Sequence, residues 1–82
     1  MQQPQNDLNL RYAVPVVTSD GNVVAINDNG VPTLLFFQAR EQHEGHLHGD
    51  VVAAVRLNSL EDLELLKKAI TDTMKQHQKR EP

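Results

Sequence analysis

The chain contains no cysteine and no tryptophan, and its aromatic residues are one tyrosine and two phenylalanines. The absence of cysteine excludes disulfide bonds, thiolate metal clusters and a cysteine nucleophile. Positive charge is also scarce, because 8 lysine and arginine residues face 11 aspartate and glutamate residues, for a formal net charge of -3. Proteins that bind nucleic acid gain affinity by neutralising phosphates, so this balance argues against nucleic acid as a partner.

Long apolar runs are missing as well. No segment has the length needed to span a bilayer, and the polar residues 1–7 do not have the pattern of a signal peptide. We therefore expect a cytoplasmic protein that does not bind membranes. We predict a disordered tail over residues 1–7, one domain over 8–78 and a frayed tail over 79–82. A domain of this size has a thin core, and without disulfides it often needs a partner.

Hydrophobic periodicity predicts four antiparallel strands. Leu8 to Thr18 alternates apolar and polar side chains, and Pro15 places this strand at a sheet edge or a bulge. Turn-forming residues at Ser19 to Asn22 and at Asn27 to Gly30 predict two hairpins. A polar connection is predicted over residues 41–49. The other three predicted strands are Val23 to Ile26, Val31 to Arg40 and Asp50 to Leu57.

A helix is predicted from Leu60 onward. Asn58 or Ser59 can accept a hydrogen bond from the first-turn amides, and an acidic residue follows three positions later, as in a capping box. An apolar stripe follows at steps of three and four, formed by Leu63, Leu66, Ile70 and Met74. The predicted fold class is therefore α+β, a four-stranded antiparallel meander followed by one C-terminal amphipathic helix (ββββα).

Both faces of this predicted sheet contain apolar residues, whereas one helix can cover only one face. Monomers rarely leave a large contiguous apolar patch in water, so we predict a homodimer. The predicted interface consists of Leu34, Phe36, Val52 and Ala54. In the alternative arrangement this face lies under the helix, and the opposite, purely apolar face meets the partner.

Three segments resemble a small prokaryotic family of domains of unknown function, in which a strand-rich half precedes one terminal helix. They are Arg11-Tyr12-Ala13, Leu34-Leu35-Phe36-Phe37 and Val55-Arg56-Leu57-Asn58-Ser59. The turn around Asp20-Gly21 and the histidine-rich segment have no counterpart in that family. The resemblance implies a fold and no activity.

Three of the four histidines lie within residues 43–48. In strand geometry His46 and His48 point the same way, and together with His43 they form a candidate zinc site that Glu44 or Asp50 would complete. The alternative is a solvated loop in which the histidines are merely polar.

Catalysis has little support, because the serines are explained by turn and cap chemistry and no phosphate-binding loop is present. The leading hypothesis is a non-catalytic, homo-oligomeric protein-binding or assembly module that requires no cofactor. Its protein partner, other than itself, is not identified by these residues. The second hypothesis is a small metal-binding protein, with a hydrolytic or regulatory role, that uses His43, His46 and His48.

Overall fold

A computed structural model describes residues 8–80. It contains three strands and one helix, β1 Gly21–Ile26, β2 Pro32–His43, β3 His46–Arg56 and α1 Leu60–Arg80. The strands form one antiparallel sheet in the order β1-β2-β3. The α+β class and the terminal helix are confirmed, but the prediction of four strands is wrong. The predicted tail over residues 1–7 and the final residues 81–82 lie outside the described residues.

The predicted strand Leu8 to Thr18 does not form. The turn expected before β1 is absent because Asp20 is bound to β2, where its N–H donates to the Phe37 carbonyl at 2.8 Å and its carboxylate accepts from the Ala39 N–H at 2.7 Å. The Gln38 side chain also donates to the Thr18 carbonyl at 2.8 Å. These bonds hold residues 18–20 alongside β2, in line with β1. The residues before them therefore do not fold back to pair with β1.

The predicted polar connection over residues 41–49 is also wrong, because β2 and β3 extend through it. Only Glu44 and Gly45 turn the chain, with φ angles of 51° and 79°. Positive φ at both central positions is the geometry of the two-residue hairpin turns that match strand twist. The side chains of this hairpin are mostly polar and lie in solvent. The segment therefore lacks the alternation of apolar and polar residues from which a strand is predicted.

The turn between β1 and β2 has the predicted location. The Asn27 side chain accepts hydrogen bonds from the Asn29 and Val31 N–H groups, both at 2.9 Å, which is the local bonding that favours asparagine in turns. Gly30 has a φ of 80°, a left-handed conformation that costs glycine little. The turn leads directly into Pro32, which is fully buried.

The start of α1 follows the predicted cap. The Ser59 hydroxyl accepts a hydrogen bond from the Asp62 N–H at 3.2 Å, and the Asp62 carboxylate accepts one from the Asn58 N–H at 3.2 Å. This reciprocal bonding resembles a capping box and satisfies amides that the helix leaves unpaired. Ser59, and not Asn58, is therefore the residue whose side chain caps the helix.

Strand register defines the two faces of the sheet. Leu34 is paired with Val24 and Val55, whereas Leu35 is paired with Val23 and Ala54. Because side chains alternate along a strand, these two sets point to opposite faces. The face that contains Val24, Leu34, Phe36, Ala53 and Val55 is called the helix-side face below. The face that contains Val23, Leu35, Phe37, Val51 and Ala54 is called the open face.

A conventional hydrophobic core is not formed by residues 8–80. Among them no hydrophobic side chain is fully buried, and Pro32 is the residue removed from solvent. The apolar stripe of α1 is itself partly exposed, with Leu63 and Leu66 half-buried and Ile70 exposed. No helix within the described range is both long enough and apolar enough to cross a membrane.

Candidate interaction surface

The open face is centred on Phe37. Its ring lies beside two glycines on the flanking strands: a Cβ built on Gly21 would lie 2.5 Å from the Phe37 Cζ, and one built on Gly49 would lie 3.1 Å from the Phe37 Cδ1. Both glycines therefore leave room for the ring. Among the described residues α1 lies toward the other side of the sheet, because the cavity beside it is lined mainly by Val24, Leu34 and Phe36 of the helix-side face, although Val23 also borders it. The open face thus presents an aromatic ring surrounded by aliphatic side chains.

The helix-side face meets α1 across a cavity of about 380 Å³. Leu34 and Phe36 line it from the sheet, and Leu63, Leu66 and Ile70 line it from the helix. The walls are mainly apolar, but helix and sheet do not close upon each other. Apolar atoms that face a gap lose the contacts that packing would supply. The helix therefore lies beside this face without packing closely against it.

The four predicted interface residues do not share one face. Leu34 and Phe36 line the cavity beneath α1. Ala54 is paired with Leu35 and so belongs to the open face, while Val52 lies at a β-bulge between the paired residues Val51 and Ala53. The bulge inserts an extra residue into β3 and changes which residues of that strand share a face.

The predicted metal ligands lie on one side of the hairpin formed by β2 and β3. His43 is paired with His46, and His48 is paired with Glu41. Since residues two apart on a strand point the same way, all four side chains start from the same face. Glu41 was not among the predicted ligands, because its position depends on the cross-strand register and on a second irregularity between Ala39 and Glu41.

The side chains of this hairpin nevertheless do not converge. In the described part of the chain, no group of three histidine, aspartate or glutamate side chains is arranged to hold a metal ion. His43 is turned toward Glu44, with its Nε2 atom 3.8 Å from the carboxylate, and Asp50 lies 3.4 Å from the Arg40 guanidinium. All of these side chains are exposed, so metal binding would require a change of rotamer.

A strong charged contact lies on the solvent side of α1. The Lys68 Nζ donates to the Asp72 carboxylate at 2.7 Å, four residues further along the helix. This hydrogen bond and the negative charge of Asp72 raise the pKa of Lys68 above its ordinary value. Both side chains are in contact with water, so the contact is a surface pair and not part of a buried site.

Comparison of the chain with protein-family models, curated proteins and solved structures finds no match. The resemblance to a prokaryotic family therefore stays a prediction. The fold defines a small α+β domain with an open sheet.

Proposed function

We propose that the chain is a non-catalytic, homo-oligomeric assembly module in which a second copy covers apolar surface that one chain leaves in water. The observation that carries this proposal is the absence of any fully buried hydrophobic side chain among residues 8–80. Burial of apolar surface is the main favourable contribution to folding. A chain that buries so little of it alone gains stability by burying more against a partner.

The accessible surface supports the same conclusion. The chain exposes 7938 Å², whereas a compact monomer of 9.2 kDa exposes roughly 4,900 Å². The difference of about 3,000 Å² per chain exceeds the roughly 800 Å² that each partner buries in an interface of standard size. Part of this excess belongs to residues 8–20, which are exposed and lie outside the strands of the sheet.

The open face is the part of the sheet that best fits such an interface. Leu35 and Phe37 lie at its centre, half-buried, and Arg56 and Gln42 lie toward its ends. An apolar centre with a polar rim is typical of protein interfaces, and aromatic residues are enriched in them. A surface of this kind also suits a protein other than a second copy of the chain. Binding of such a protein is the alternative form of the proposed role.

Light scattering coupled to size-exclusion chromatography tests the proposal. At tens of micromolar we expect the mass of two or more chains, because the surface left exposed by one chain is large and apolar. A mass equal to one chain at that concentration would contradict homo-oligomerisation. Sedimentation velocity of the same sample separates an elongated monomer from a dimer, since it measures mass and shape together.

A second candidate function is metal binding by the hairpin, which the register of Glu41, His43, His46 and His48 favours. These residues supply nitrogen and oxygen ligands of the types that zinc uses, and coordination requires neutral imidazoles, so acidification weakens binding. Titration calorimetry with zinc compares the wild type with the His46→Ala, His48→Ala double variant. His77→Ala, which removes a histidine outside the hairpin, is the matched control. If the heat of zinc binding disappears only in the double variant, the hairpin site is supported. Equal heats from all three proteins contradict it.

A further inference from the structure

Residues Leu8 to Val17, called the arm below, have the apolar and polar alternation of a strand but form no strand in the structure. Leu8, Leu10, Tyr12, Val14 and Val16 alternate with the residues between them. In the structure the arm pairs with nothing in the described sheet, and Leu10 and Tyr12 are 80% and 86% exposed. An apolar segment with this period fits a half-buried strand and is unfavourable in water.

The arm does not return to the sheet of its own chain. The hydrogen bonds between residues 18–20 and β2 keep these residues in line with β1: Asp20 donates to Phe37 and accepts from Ala39, and the Thr18 carbonyl accepts from Gln38. The arm consequently leads away from the outer edge of β1. Its alternating side chains remain in solvent, where a second molecule can reach them.

The outer edge of β1 is open in the described structure, since β1 is the terminal strand of the order β1-β2-β3. Its outward N–H and C=O groups have no strand beside them among residues 8–80. The same strand borders the cavity under α1, because Val24 lines that cavity together with Leu66 and Ile70. An added strand would find backbone partners at the edge and apolar side chains at the cavity mouth. Both features are typical of recognition by strand addition.

We propose that the arm of a second copy adds to β1 as a fourth strand and that its apolar side chains close the cavity mouth. This inference rests on the proposed homo-oligomeric function and adds the β1 edge to the open face as a second contact between the copies. Each copy has one arm and one open β1 edge. When two copies exchange arms about a two-fold axis, each arm pairs with the β1 edge of the other copy, and the dimer is closed.

The dimensions and composition of the arm agree with this exchange. The arm has enough residues to run along the whole of β1, which spans Gly21–Ile26. Pro15 has no N–H to donate, and an added strand becomes the new edge of the sheet, where proline is tolerated.

Cross-linking between different chains tests the inference, and the chain suits it because it contains no cysteine. Tyr12→Cys carries a thiol on the arm, and Val24→Cys carries one on β1. The two variants are purified separately, and one of them is isotopically labelled. They are then mixed under conditions that allow subunits to exchange, and the mixture is treated with a short flexible bis-maleimide. Val55→Cys is the matched control, because it lies on the same sheet face but on β3. Circular dichroism confirms that each variant has the wild-type fold.

We expect a cross-linked product of mixed labelling from Tyr12→Cys with Val24→Cys, at a yield about tenfold above that with Val55→Cys, because the arm lies beside β1 in the proposed exchange, whereas β3 is separated from it by two strands. Equal yields from the two pairs, or preferential linkage to Val55→Cys, would overturn the inference and leave the proposed function intact. A double variant with both cysteines that links within one chain would overturn it as well. A monomeric mass for the wild type in light scattering would defeat both proposals.

Discussion

Phe36 and Phe37 are neighbours in the sequence and face opposite environments in the structure. Phe36 lines the cavity beneath α1, whereas Phe37 lies on the open face between Gly21 and Gly49. Both rings are half-buried, so neither face provides a finished core. The comparison shows that the helix lies beside one face and that no element among residues 8–80 covers the other. The pair of residues therefore separates internal packing from association.

The largest expected effect is that of Phe36→Glu. The substitution removes the ring from the cavity wall and places a charge among apolar side chains in a cavity that is only partly closed to water, so we expect a loss of about 3 kcal/mol in the free energy of unfolding. Urea denaturation at a fixed protein concentration measures it. Phe36→Leu retains an apolar side chain and is the control. A loss below about 0.5 kcal/mol, as for surface positions, would show that α1 does not pack on this face.

The same substitution at Phe37 is expected to act on association. Phe37→Glu places a charge at the centre of the open face, and we expect it to weaken the dimer by about 2 kcal/mol, or roughly 30-fold in Kd. Light scattering across a dilution series measures the mass, and circular dichroism reports the helix. Phe37→Leu is the matched control. If Phe37→Glu keeps the wild-type dissociation constant, the open face is not an interface.

A smaller effect is expected from two neighbouring leucines of α1. Leu66 lines the cavity, whereas Leu65 is 60% exposed. We expect Leu66→Ala to cost about 1 to 2 kcal/mol, less than a fully buried leucine because its site is already open. Leu65→Ala should stay within about 0.5 kcal/mol of the wild type. Equal losses in urea denaturation would mean that the helix is not oriented as described.

The smallest effect concerns the side of α1 that faces water. Removal of the carboxylate charge in Asp72→Asn should lower the pKa of Lys68 toward its ordinary value, because Asp72 is what raises it. In the wild type the pair stabilises the fold below the unfolded pKa of lysine, and this contribution is lost as the pH rises through the folded value. NMR titration of the Lys68 side chain measures the shift. An unchanged pKa would show that the pair does not persist in solution.

The helix was predictable because its signals are local. Ser59 caps the first turn and Asp62 bonds back to the backbone, and both residues stand close together in the sequence. The apolar stripe that lines the cavity was predictable for the same reason, since its residues recur at helical spacing. The lack of a strand over residues 8–18 was not predictable, because alternation shows that a segment can pair but not that a neighbouring strand is in place for it.

Register also limited what could be predicted of the candidate surface. Leu34 and Ala54 were expected on one face, but the bulge beside Val52 assigns them to opposite faces. Gly21 was interpreted as a turn residue, whereas its role is to leave space for the Phe37 ring on the adjacent strand. Neither feature has a local signal, since each depends on which residue of another strand lies opposite. For the same reason Glu41 could not be grouped with the histidines.

The most direct test of the account is the dependence of stability on protein concentration. Binding of a second copy to the folded chain adds stability by mass action, so the thermal midpoint should rise steadily as the concentration is raised over about two orders of magnitude. Circular dichroism at low concentration and calorimetry at high concentration cover that range. Phe37→Glu, as the association-deficient variant, should show a midpoint that changes little. A wild-type midpoint that is independent of concentration would contradict the claim that a second copy completes the fold.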